Sequence, residues 1–219
     1  MATLFLIRHG LTATTGRVLY GRADGISLDE RGREQAERLA ERFRPVRLTA
    51  IYSSPLERCV ETVEPLATAQ RLPIVTRDEL IEMDAGNWTG KTLASLRRRA
   101  AWRDVLLAPS SFRFPGGESF GEAHERVVAG FERIARRHRR GRVAIATHGD
   151  IVRLLLGHLG GAPLDLFQRV VVDTASVSVV NVVGGMPRML LVNDTGTGLD
   201  RFAPPPATSR RRAGANLRG

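Results

Sequence analysis

Two short apolar runs, Leu4 to Ile7 and Val143 to Thr147, lead straight into Arg8-His9-Gly10 and His148-Gly149-Asp150. Neither alternates apolar with polar residues, so each reads as a strand covered on both faces, which in a soluble chain is a parallel strand with helices above and below it. The stretches between and around them supply those helices. Asp29 to Phe43 has an apolar side of Ala36, Leu39, Ala40 and Phe43, Glu118 to Arg140 is a long helical pattern, and Asp150 to Leu159 is a short apolar one. A further strand, Ala50 to Ser53, runs into Ser54-Pro55-Leu56-Glu57, which reads as a capping box with proline at the first helical position. Ser176 to Val183 and Met189 to Val192 read as a hairpin around Gly184-Gly185. The expected fold is α/β: a three-layer α/β/α sandwich whose mostly parallel sheet has an antiparallel edge strand.

In such sheets ligands bind beyond the carboxyl ends of the strands, where His9 and His148 both emerge. Arg58 reaches the same rim from the first turn of the helix after Ser53, where free backbone N–H groups already favour an anion. Arg8 and Arg58 offer fork geometry to the oxygens of a tetrahedral dianion. Two such cations push a neighbouring imidazole toward its neutral form, and only the neutral ring has a lone pair with which to attack phosphorus. One histidine is then a nucleophile and the other a donor to the transferring oxygens. The departing alkoxide needs a proton, and Glu82, set between apolar neighbours in Leu80-Ile81-Glu82-Met83, is the expected acid; Glu79 and Asp84 are the other carboxylates near it. Gly86 and Gly90 bracket Asn87-Trp88-Thr89 as a loop over the rim.

Charge says less about partners than its size suggests. Lys and Arg number 33 against 23 acids, a net +10, but residues 201–219 hold five arginines, no acid and three consecutive prolines. That segment is expected to be a disordered basic tail following a domain of residues 1–200. A single cysteine, Cys59, lies on an apolar stripe and reads as core. With no basic segment ahead of an apolar run and no long apolar span, the chain is expected to be cytoplasmic and without a membrane partner.

Taken in order, Arg8-His9-Gly10, Ser53-Ser54-Pro55-Leu56-x-Arg58, Glu82-x-x-x-Gly86-x-Trp88-x-Gly90, Pro115-Gly116-Gly117-Glu118-Ser119 and Thr147-His148-Gly149-Asp150 resemble the histidine phosphatase superfamily, in its phosphoglycerate mutase-like branch of cofactor-independent phosphatases. The resemblance covers nearly all of residues 1 to 195. It implies His9 as the phosphorylated nucleophile, a phosphate pocket of Arg8, Arg58 and His148 with Gly149 beside it, Glu82 as proton donor, and neither cofactor nor metal. Where many relatives carry an amide shortly after the first motif, this chain has Leu11-Thr12-Ala13-Thr14-Thr15, and the Thr15 hydroxyl is expected to replace that phosphate contact in part.

The function expected is hydrolysis of a small phosphorylated metabolite through phosphohistidine. A phosphomutase is the alternative within the same chemistry, and the short interval from Glu82 to His148 resembles the phosphatases. A polyanion- or nucleic-acid-binding protein using the arginine clusters is the alternative of another class; no aromatic interleaving accompanies them. Arg97, Arg98, Arg99 and Arg103 read as a solvated helix face, and Arg136 to Arg142 as the cationic end of a long helix. His124, His138 and His158 read as solvated or packed. Trp88, Trp102, Phe112 and Phe114 are expected to present specificity to the pocket. The partners expected are a small phosphorylated substrate, no nucleic acid, and a homodimer as the assembly open to the chain.

Overall fold

The computed structural model of the chain describes residues 1–196 and 199–204. Its six strands are β1 (Ala2–Arg8), β2 (Ala50–Ser53), β3 (Ile74–Thr76), β4 (Arg142–Thr147), β5 (Val177–Val183) and β6 (Met186–Asp194), joined in one sheet of order β3-β2-β4-β1-β5-β6. The four strands from β3 to β1 are parallel; β5 runs against β1, and β6 against β5. The strand opposed to the rest is therefore β5, one place inside the edge that the hairpin occupies.

Alternation along β1 shows how the layers form. Leu4 and Leu6 face one apolar cluster with α5 (Phe120–Arg137) and α6 (Gly149–Leu159), while Phe5 and Ile7 face the other with α1 (Glu30–Arg42) and α2 (Glu57–Gln70). All four side chains are fully buried, as the unbroken apolar run required. Two shorter helices, α3 (Leu93–Leu96) and α4 (Ala101–Leu107), lie between β3 and α5 in sequence. Among the described residues no helix is long and apolar enough to cross a membrane.

One local expectation is corrected. Ser54 and Glu57 do not form a capping box: α2 starts at Glu57 with Leu56 as an N-cap that has no side-chain bond. The Ser54 hydroxyl instead meets His148 Nε2 at 2.8 Å, and Glu57 Oε1 accepts from the Gly25 N–H at 3.0 Å. A capping box does open α5, where Ser119 and Glu122 satisfy one another's backbone N–H groups. Packing contacts continue past residue 200. Phe202 packs edge-on against Phe5 at 5.7 Å, and its carbonyl accepts from Arg142 Nε at 3.0 Å; residues 205–219 of the expected tail lie outside the described residues. Phe202→Ala should therefore lower stability by about 1–2 kcal/mol in urea denaturation, less than a fully buried Phe because the ring is only half-buried; an unchanged midpoint would return residue 202 to the tail.

Candidate active site

Parallel register brings the two histidines together. Arg8 pairs with Thr147 at the last rung between β1 and β4, so the next residues, His9 and His148, leave the sheet side by side with ring centroids 5.4 Å apart. On the other flank of β4, Ser53 pairs with Ala146, which sets Ser54 beside His148 and starts α2 with Arg58 at the same level. Three neighbouring strand ends thus deliver the motif residues by register alone.

The first imidazole has a defined tautomer. His9 Nδ1 lies 2.8 Å from the Gly10 carbonyl oxygen, which can only accept, so Nδ1 carries the hydrogen and Nε2 keeps its lone pair. The loop behind it is fastened: Gly10 N–H donates to Thr62 Oγ1 at 2.9 Å and Leu11 N–H to Gln35 Oε1 at 2.8 Å. Burial, then the charges of Arg58 and Arg8, push the His9 pKa down to about 3, so the ring is neutral throughout the physiological range.

His148 is fully buried, and burial, Arg58 and His9 hold it well below the usual imidazole range. The Ser54 oxygen already takes a long bond from Leu56 N–H at 3.4 Å, and its own hydrogen is best given to His148 Nε2. That leaves the ring hydrogen on Nδ1, which points toward Glu82 Oε2 at 3.8 Å. Cys59 Sγ packs 3.5 Å from the ring, and burial raises its thiol pKa far above normal, so it is a packed neutral group as expected.

Two guanidiniums face the histidines. Arg58 is 1% exposed and donates through Nη2 to the Gly21 carbonyl at 3.0 Å; Arg8 donates through Nη1 to the Val172 carbonyl at 2.7 Å. Among the described residues, Arg58 Nε and Nη1 and Arg8 Nε find no acceptor. Buried cationic donors without acceptors are costly, and a phosphate's oxygens match their fork. Gly149 is what lets Arg8 lie flat there: a Cβ at Gly149 would come within 3.1 Å of Arg8 Nε.

Glu82 borders the same cleft with its side chain 17% exposed. Burial, followed by the nearby Asp150 carboxylate, pushes its pKa up to about 7, against a bond from Met83 N–H and the pull of Arg58 and Arg8. Glu79 does not share this place, because its carboxylate is paired outward with Arg133 at 2.8 Å; Asp84 accepts from Gly86 N–H at 2.9 Å.

The cleft of about 450 Å³ is lined by Arg8, His9, Thr15, Arg58, Glu82 and Gly149, with His148 just behind the wall. Thr15 reaches it, but its oxygen already accepts from Thr12 N–H at 3.0 Å and contacts Thr12 Oγ1 at 2.8 Å, so it braces the loop as well. Trp88 does not present to the cleft. It is 2% exposed, and the segment Gly86–Trp88 turns it into the core against Trp102, Phe112 and Phe114. Trp102 and Phe114 do line the cleft, and so does Arg97, which departs from a purely solvated face; Phe112 does not. Sequence reasoning missed Asp150, Arg153 and Gln168 as lining residues. Asp150 and Arg153, paired at 2.9 Å, sit three apart on α6, a helical spacing that would have flagged them once His148 was placed.

Residues 4–195 match the histidine phosphatase superfamily (branch 1). The chain belongs to that superfamily. Phosphoserine phosphatase 1 of Hydrogenobacter thermophilus is 32% identical to this histidine phosphatase over 187 residues, which cover 83% of this chain and 87% of that protein. Bifunctional protein Rv2228c of Mycobacterium tuberculosis is 33% identical over 200 residues, 88% of this chain and 54% of its own length. The solved structure of Bacillus stearothermophilus YhfR superposes on the histidine phosphatase with a TM-score of 0.84 at 32% identity, over 90% of this chain and 98% of that one. The enzyme is a phosphatase with the expected fold.

The unpaired donors make a direct prediction for this histidine phosphatase. Inorganic phosphate at one hundred times its Kd should stabilise the folded state by about 2.7 kcal/mol, a rise of roughly 5–10 °C in Tm for a domain of this size. Arg58→Met should abolish the rise in a thermal-shift measurement; a full response from that variant would move the phosphate site elsewhere.

Proposed function

We propose that the enzyme hydrolyses a small phosphomonoester through a phosphohistidine at His9. The observation that carries this assignment is the His9 tautomer: Nδ1 is tied to the Gly10 carbonyl, and Nε2 stands free beside two guanidiniums with buried, unpaired N–H groups. The Nε2 lone pair forms the P–N bond as the P–O bond to the leaving group breaks. Arg8, Arg58 and the Nδ1 hydrogen of His148 balance charge on the transferring oxygens, with the Gly149 position keeping Arg8 in place and Thr15 at the rim. Glu82 gives its proton to the departing alkoxide. Water then attacks phosphorus, Glu82 takes back a proton, and the electron pair returns to His9.

The leaving-group side combines apolar walls, including Leu93, Trp102, Val105 and Leu106, with the charged pair Asp150 and Arg153, Arg97 and Gln168. A compact alcohol bearing its own charges suits that mixture, and phosphoserine, the substrate in the name of one relative, carries both an ammonium for Asp150 and a carboxylate for Arg153. A panel of phosphoserine, 3-phosphoglycerate and sugar phosphates tests the choice, with phosphoserine expected to have the highest kcat/KM. Adding 2,3-bisphosphoglycerate with 3-phosphoglycerate should leave phosphate release as the main outcome; isomerisation faster than release would make the enzyme a mutase.

His9→Ala should reduce kcat/KM by more than about 1,000-fold. Wild type quenched during turnover of labelled substrate should hold a phosphoryl group that survives alkali and is lost in acid, located on His9 by mass spectrometry. Label on any other residue would overturn the mechanism.

The pH dependence has a defined sign. Because Glu82 must be protonated to serve the leaving group and its pKa is raised to about 7, kcat/KM for an alkyl phosphate should fall as pH rises through about 7. Removing the negative charge that helps to hold it up, as in Asp150→Asn, should move that falling limb to lower pH. A limb that stays in place or moves upward would dissociate it from Glu82.

A further inference from the structure

We propose that Glu118 is a positioning residue for Glu82, acting through a clamp of two arginines on the backbone of the segment that carries the acid; this rests on the role of Glu82 proposed above. The segment from Glu79 to Glu82 leaves the sheet after β3, so its carbonyls have no strand partner. All four accept from side chains instead. Arg126 Nη1 donates to the Glu79 and Ile81 carbonyls, each at 2.9 Å, Thr147 Oγ1 to Leu80 at 2.6 Å, and Arg22 Nε to Glu82 at 2.9 Å.

Glu118 joins the two arginines. Its carboxylate takes the Arg126 fork at 3.0 and 2.9 Å and Arg22 Nη2 at 3.1 Å, and its side chain is only 11% exposed. Without that carboxylate the two cations repel one another and their grip on the carbonyls loosens. The Glu118 backbone is itself locked to the clamped segment: its N–H donates to the Asp84 carbonyl at 3.0 Å, and Gly117 allows the approach, since a Cβ there would stand 2.3 Å from that same oxygen. The Pro115 to Ser119 motif, which touches neither histidine nor phosphate donor, thereby gains a task in the reaction. It fixes where the Glu82 carboxyl stands relative to His148 Nδ1, and an acid must be within hydrogen-bond reach of the oxygen it protonates.

A general acid matters only when the leaving group needs its proton, which separates positioning from simple support of the fold. Glu118→Gln should slow phosphoryl transfer from phosphoserine in single-turnover experiments by about tenfold or more, a fraction of the 10²–10⁴ that a positioned acid contributes. The pre-steady-state burst with p-nitrophenyl phosphate, whose phenolate departs without a proton, should change by less than about threefold. Glu118→Asp, which keeps the charge, should recover part of the phosphoserine rate. Arg22→Gln breaks the clamp at its more exposed member and should give the same imbalance if Glu118→Gln fails to fold. Glu82→Gln marks the full size of the imbalance. Equal losses on both substrates, or none, in Glu118→Gln and Arg22→Gln would overturn the proposal while Glu82→Gln still discriminates; if Glu82→Gln does not discriminate, the assignment of the acid falls and this one with it.

Discussion

Because β1 and β4 run parallel and stay in register as far as Arg8 and Thr147, the two residues that follow must leave the sheet at one height, and both are histidines. Everything else in the site is arranged around that pairing. His148 stands between His9 on one side and Ser54 on the other, since β4 lies between β1 and β2. Register, set by backbone hydrogen bonds and by the burial of alternate side chains on two faces, does the positioning that flexible side chains cannot.

Electrostatics then follows from burial. Two guanidiniums held by single carbonyl bonds and carrying unpaired N–H groups raise the potential of the cleft. Both imidazoles respond by staying neutral, while the Glu82 carboxyl is pulled in opposite directions by burial and Asp150 and by the arginines. One field thus lowers the proton affinity of both imidazoles while burial raises that of Glu82, so location more than residue type sets each group's protonation.

Much of this was legible in the sequence because the strands are short, wholly apolar and end on their functional residues. His9, His148, Arg58 and Glu82 are found together at the strand ends as expected. What could not be read is what depends on side-chain direction. Ser54 had the spacing of a cap, yet the pull of a buried imidazole lacking a partner outweighs the helix start, worth about 1 kcal/mol. Trp88 looked like a lid residue, but a large ring flanked by flexible glycines gains more from burial against Trp102, Phe112 and Phe114 than from solvent. Phe202 was hidden by its polar, proline-rich surroundings, which gave no hint of the exposed edge of Phe5 that it covers.

The cleft is assembled from two sources of unequal rigidity. The half that carries the two histidines comes from three hydrogen-bonded strand ends, where any shift disturbs the sheet. The opposite wall comes mostly from the short helices α3 and α4 and from residues near Gln168, outside the sheet. Mutations can therefore accumulate in that wall, and descendants can exchange one alcohol for another, while the bond-breaking apparatus is inherited intact. A lineage built on this plan diversifies its diet without reinventing its chemistry.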